Sequence, residues 1–109
     1  MRTYQVALDI EAERDLEEIA AHVAEHDSIP RAIDLIDRIE HQIEGLASLP
    51  NRRAYPKELL EYGNRDFRET YFKSCRILYR IVDKEVVVVL IADERRDMRS
   101  LLARRLLGA

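Results

Sequence analysis

The chain has 109 residues, of which 47% are hydrophobic and 36% charged, with a formal net charge of −3. That length fits one compact domain spanning residues 1–109 and leaves no room for a second. One cysteine, Cys75, excludes an internal disulfide framework and a multi-cysteine zinc site. The net charge hides a split: residues 1–51 hold 4 arginines against 12 acids, and residues 52–109 hold 14 basic residues against 9 acids. Such asymmetry predicts two faces, the basic one suited to nucleic acid, a ribosome or an acidic partner. A plain solvated surface is the alternative.

The N-terminus lacks the apolar run of a signal peptide. The longest apolar run, residues 86–92, is far shorter than the roughly 20 residues that cross a bilayer. The expectation is a cytoplasmic protein with no membrane contact.

Tyr4-Gln5-Val6-Ala7-Leu8 alternates and predicts a first strand. Asp9 is a good N-cap. Glu11, Glu13 and Asp15 follow, where the positive end of a helix favours acids. Ala12, Leu16, Ile19, Ala20 and Val23 recur at helical spacing, so a helix is predicted over residues 10–26. Ser28 caps a second helix, with Pro30 early in it and Ile36, Ile39, Ile43 and Leu46 on one stripe. That helix is expected to run to Leu49 and to stop at Pro50. The short link makes the two helices an antiparallel hairpin whose apolar face needs a cover.

Residues 50–65 read as irregular, with one helical turn near Pro56–Glu61 closed by Gly63. Three strands follow, over residues 66–72, 76–82 and 85–91. The solid apolar character of the last predicts burial on both faces, and Asp83-Lys84 is its hairpin turn. Residues 95–107 read as a basic terminal helix carrying Met98, Leu101, Leu102, Leu106 and Leu107. The order β-α-α-β-β-β-α is an α+β arrangement: a mainly antiparallel four-stranded sheet with the N-terminal helical hairpin on one face.

This order, with these residues, resembles the RelE/ParE superfamily of plasmid-stabilisation and toxin–antitoxin toxins. Asp15-Leu16-Glu17-Glu18-Ile19 is similar to the family's first helix, and Leu46-Ala47-Ser48-Leu49-Pro50 to the end of its second. Asp66-Phe67-Arg68-Glu69, then Cys75-Arg76-Ile77-Leu78-Tyr79-Arg80-Ile81, then the valine-rich strand and Arg95-Arg96-Asp97, carry the most specific likeness. Cys75 stands where the family usually has an aromatic residue. The resemblance implies a microbial-ribonuclease-like fold and a growth-arresting toxin neutralised by a cognate antitoxin. Two targets are open: DNA gyrase, as in ParE-like toxins, or messenger RNA on the ribosome, as in RelE-like mRNA interferases. A decayed toxin that keeps only antitoxin binding is a third reading.

RNA cleavage by the neighbouring 2′-hydroxyl needs a base, an acid and cations for the developing phosphorane charge. By the resemblance, Arg76 and either Arg95 or Arg96 match phosphate-contacting arginines. A nuclease set would be Arg68, Glu69, Arg76 and Arg96, and a target- or phosphate-binding set Arg68, Arg76, Arg95, Arg96 and Arg99. The proton-transfer groups are incomplete. The family's lysines are replaced by Arg68 and Glu69, its C-terminal tyrosine is missing, and His22, His26 and His41 all fall in the helical hairpin. Arginine stays protonated and serves poorly as acid or base. The balance favours a ParE-like gyrase inhibitor without its own catalysis. Antitoxin contacts are expected at Arg95, Arg96, Leu101, Leu102 and Leu106.

Each of these residues also has a structural reading. Arg68 could pair with Glu69 or Asp66, and Arg76 and Arg80 share one strand face, either solvated or working. The terminal arginines could be an ordinary helix surface. Tyr71 and Tyr79 read as core or sheet residues and Cys75 as structural. His22 and His26 have metal-binding spacing without a third ligand, so no metal or cofactor is expected.

Overall fold

The computed structural model describes residues 3–108. Strand β1 (Gln5–Leu8) leads into helices α1 (Ile10–His26) and α2 (Ile29–Glu44). A short helical turn, α3 (Lys57–Leu60), precedes strands β2 (Arg68–Phe72), β3 (Cys75–Val82) and β4 (Glu85–Asp93). Helix α4 (Met98–Leu106) closes the order. The α+β arrangement is as expected, with the sheet ordered β1-β4-β3-β2. β2, β3 and β4 pair antiparallel, while β1 pairs parallel to β4, so the sheet is mixed.

The caps explain the helix starts. The Asp9 carboxylate accepts from the Ala12 amide at 2.8 Å, and Ser28 Oγ accepts from the Arg31 amide at 3.2 Å. Each satisfies an amide that the first helical turn leaves free. Two helix bounds differ from the sequence reading. α2 ends at Glu44 and tightens into a 3-10 turn over Gly45–Ala47, and Leu49 is exposed with φ 52°. The terminal helix starts at Met98, because Asp97 accepts from the Ser100 amide and hydroxyl as an N-cap. Arg95 and Arg96 therefore lie in the preceding turn.

The sheet separates two cores. Towards the hairpin, Ile77, Tyr79, Val86, Val88 and Ile91 pack on Ala12, Ile39 and Ile43. On the other face, Leu78, Val89, Leu90 and Ala92 pack on Leu59 of α3 and on Met98, Leu101 and Leu102 of α4. The pairing of β3 with β4 slips by one residue between Leu78 and Tyr79: Leu78 faces Leu90, but Tyr79 faces Val88. Val89 is the extra residue of a β-bulge. It puts consecutive residues 89 and 90 on the α4 side and returns Ile91 to the hairpin side. This is how an unbroken apolar run is buried on both faces.

β1 covers only the first part of β4, ending opposite Val88. Beyond it the edge of β4 has no strand partner, and side chains take its place. The Ile91 amide donates to Asp15 Oδ2 of α1 at 2.9 Å, and Arg105 of α4 donates to the Val89 carbonyl at 2.9 Å. Unpaired edge groups left in an apolar setting would cost about 1–3 kcal/mol each.

Candidate functional site

Where α1 passes the open end of the sheet it leaves a groove of about 550 Å³. Its apolar wall is Ile19, Val23, Leu35, Phe72, Cys75 and Ile91, and its rim carries Glu18, His22, Lys73, Arg95 and Arg96. Two turns build the rim. Lys73 sits at φ 53° between β2 and β3, and the turn after β4 is fixed by the Arg95 amide donating to Asp93 Oδ1 at 2.9 Å. The Arg95 guanidinium also lies on Asp93, 2.6 Å from Nη2 to Oδ2. Its hydrogen bond holds the Asp93 carboxyl below the usual range. The Arg96 side chain makes no hydrogen bond or ion pair with another described residue. Arg96 is thus a rim cation left for a partner, as is Lys73, which lies only over the Phe72 ring. Burial pushes the Cys75 thiol up, and Asp93 adds to this, so it is neutral near pH 7.

Arg76 is placed quite differently. It is 4% exposed, although it stands on β3 beside exposed Arg80. Its Nη1 and Nη2 lie 2.7 and 3.0 Å from the two oxygens of Glu58, and its Nε lies 3.0 Å from Glu69 Oε1, which Nη2 also meets. Glu58 takes the fork two-pronged, the strong geometry for an arginine–carboxylate pair. The bond from Arg76 holds the Glu58 carboxyl below its usual value, outweighing burial. Burial opposes the charge on Arg76, yet the two carboxylates keep it more firmly protonated than usual. Glu69 is thereby tied through Oε1 to the same guanidinium.

Arg68 anchors the segment before β2. It donates to the Arg53 carbonyl and to the Tyr55 hydroxyl, both at 2.8 Å, and its guanidinium carbon lies 4.3 Å from the Tyr55 ring centre. Arg99 is paired with Glu61. Lys57, Tyr71, Arg96 and Arg99 surround a shallow depression of about 360 Å³ above Arg76. Tyr71 is 44% exposed there, while Tyr79 is fully buried and donates to the Pro50 carbonyl. His22, His26 and His41 are exposed, and the first two stack with ring centres 4.2 Å apart. Among the described residues no three metal-binding side chains converge. No described helix is long and apolar enough to cross a membrane.

Residues 6–98 match the family described as the ParE toxin of type II toxin–antitoxin system, parDE. The chain belongs to the ParE toxin family. It is a toxin of a type II toxin–antitoxin module, and membership implies a cognate antitoxin. No curated relative matches it. Among solved structures, a chain of the chromosomal ParDE toxin–antitoxin system from P. aeruginosa superposes with a TM-score of 0.71 at 17% identity. The match covers 85% of this chain and 98% of that one. At that identity the likeness establishes the fold.

The structure thus divides the candidate residues of this ParE-family toxin into separate places. Arg95 and Arg96 share the groove rim. Arg68, Arg76 and Glu69 are engaged around β2 and β3, and Arg99 stands near them at the end of α3. Leu101 and Leu102 are 3% and 0% exposed, in the core under α4, and Leu106 is half-buried beside them. A partner reaches the first two only if α4 lifts.

Sequence reasoning assigned no role to Glu58 and placed Asp15 among the acids at the positive end of α1. It gave the terminal arginines, Arg105 among them, an ordinary helix surface as one reading. Asp15 falls between Ala12 and Ile19 on the apolar stripe of α1, and a charge in that position requires a buried partner. That was the available signal.

Proposed function

We propose that this toxin, when free of its antitoxin, arrests growth by binding DNA gyrase, without cleaving RNA itself. The observation that carries this reading is the Arg76 cluster. The arginine and the carboxylate nominated for RNA chemistry are buried against each other and against Glu58. A phosphate would have to displace two carboxylates to reach Arg76, and Glu69 Oε1 is already held by that arginine. The antitoxin is proposed to lay a helical or extended segment in the groove beside α1, with apolar anchors on Ile19 and Phe72 and an acidic group at Arg96.

The ribosomal nuclease remains the second reading, supported by the depression between Lys57, Tyr71, Arg96 and Arg99. Induction of the toxin alone, followed within minutes by pulse-labelling of new DNA and new protein, separates the readings. The gyrase reading expects arrest with protein synthesis initially intact and DNA synthesis failing. Early collapse of protein synthesis would replace it with the nuclease, and no arrest would indicate a toxin that keeps only antitoxin binding.

A further inference from the structure

The outer side of the helical hairpin carries a second apolar surface that the antitoxin groove does not use. Ile29, Ile33 and Ile36 follow each other at four- and three-residue spacing along α2. They lie beside Ala20, Ala21 and Ala24 of α1, and together they line a groove of about 410 Å³. No residue of the sheet or of α4 contributes to it. Ile29 and Ile33 are 66% and 59% exposed, and buried Ala32 lies on the groove floor between them. A helix normally needs one apolar stripe to fold onto its domain. On α2 the stripe that reaches the core at Ile39 and Ile43 widens at its N-terminal half, where Ile29, Ile33 and Ile36 carry it out onto the exposed side.

The charge around the groove specifies what fits. Residues 10–44 hold 11 acids and three arginines. Two of those arginines are already paired, Arg31 with Asp27 and Arg38 with Asp34. Asp37 lines the groove, and exposed Glu17 and Glu40 lie one helical turn beyond the same end of it, since the two helices run antiparallel. A second copy of this hairpin would bring the same acids face to face. A basic strip would neutralise them.

We propose that the outer hairpin groove is a docking surface for a basic amphipathic helix of another protein. Such a helix places an apolar ridge, repeating at three and four residues, on Ile29, Ile33 and the alanines, with lysine or arginine on its flanks opposite Glu17, Asp37 and Glu40. Small alanine side chains on α1 allow the ridge to come close. The inference does not depend on gyrase being the target.

The test uses the full chain and three fluorescent 18-residue helical peptides of one leucine pattern, with lysine, glutamate or glutamine at the polar positions. Anisotropy gives affinity, and amide NMR shifts give position. The expected result is binding of the lysine peptide, shifts centred on residues 20–24 and 29–37, and affinity that falls with added salt. Ile33→Glu should weaken it about tenfold or more, and Asp37→Lys should reduce its salt dependence. Both positions are exposed, so circular dichroism and the melting temperature should stay unchanged. Preference for the glutamate or glutamine peptide, or shifts confined to the groove beside the sheet, would overturn the proposal. So would a toxin dimer in sedimentation that Ile33→Glu converts to monomer, because the occupant would then be a second copy.

Discussion

Asp15 of α1 and Arg105 of α4 meet in a two-pronged pair, Nη1 to Oδ1 at 3.1 Å and Nη2 to Oδ2 at 3.0 Å, across the edge of β4 that no strand covers. Each also bonds the strand itself, at Ile91 and Val89, and Glu11 sits against the same guanidinium. Two helices on opposite faces of the sheet are joined through the backbone they both protect. Burial opposes the charge on Arg105, but Asp15 and Glu11 together more than restore it.

Removing one partner should therefore be costly. Asp15→Ala leaves the Ile91 amide unpaired and Arg105 without its main counter-ion. A loss of about 3 kcal/mol is expected, seen as a lower urea midpoint with an unchanged slope. Hydrogen exchange at the Ile91 amide should accelerate in the same variant. A change within about 0.5 kcal/mol, as for an ordinary surface substitution, would show that the pair is incidental.

Arg76→Met should destabilise the toxin by about 3 kcal/mol near pH 7, because two carboxylates stay buried without a cation. The pH dependence follows from Glu58. Its folded pKa lies below the ordinary 4.5 through the Arg76 bond. In the wild type this stabilisation is complete above that value and is lost as pH falls through the folded pKa. In the variant, burial remains and the cation is gone, so protonation relieves Glu58. The gap between the two proteins should narrow steadily from pH 7 to pH 4 in chemical denaturation. A constant gap would contradict the assignment.

Burial pushes the Tyr79 phenol up to about 12. Its neutral hydroxyl is the donor to the Pro50 carbonyl. The stabilisation this provides is full below the unfolded tyrosine value of about 10 and declines as pH rises through the folded value. In an ultraviolet titration, Tyr79→Phe should remove the last phenolate step. It should also lower stability by about 1–2 kcal/mol at neutral pH. Retention of that late step in the variant would assign it to another tyrosine.

For the antitoxin, the rim geometry separates two neighbours. Arg96→Glu should weaken the complex about tenfold and flatten its salt dependence. Arg95→Glu should do less, since Asp93 already occupies that guanidinium. Calorimetry at two salt concentrations reads both. Equal effects would mean that Asp93 releases Arg95 on binding, and no effect from either would move the antitoxin away from this groove.

Local chemistry carried most of the fold. Asp9, Ser28 and the 3.6-residue stripes marked the hairpin, and the valine-rich run marked β4. What local pattern could not supply was partnership over distance. Nothing near Arg76 in the chain announces Glu58, 18 residues earlier, as its main counter-ion. Alternation put Arg76 and Arg80 on one face, as observed, yet only the packing of α3 and α4 decides that the first is buried and the second exposed. Leu101 and Leu102 looked available to a partner because a terminal amphipathic helix has no cover of its own in sequence. The sheet provides that cover. The outer groove was hidden in the stripe of α2, because Ile36 belongs to that stripe in sequence while Ile29 and Ile33 widen it beyond what the sheet covers.

The bulge at Val89 makes β4 sensitive to length in a way that composition does not reveal. Exchange of one aliphatic residue for another along this strand leaves both cores with apolar contributors. Deletion of residue 87, with the bulge and the later pairing kept, would turn over the residues before it and send Val86 towards α4. Deletion of Val89 itself would remove the bulge and leave Leu90, Ile91 and Ala92 on their faces. Without Val89, Arg105 would lose the carbonyl it binds, while Ile91 would still face the hairpin. Sequence drift in this toxin is therefore tolerated by substitution within β4, while a change of length there is absorbed without reversing the faces only at the bulge.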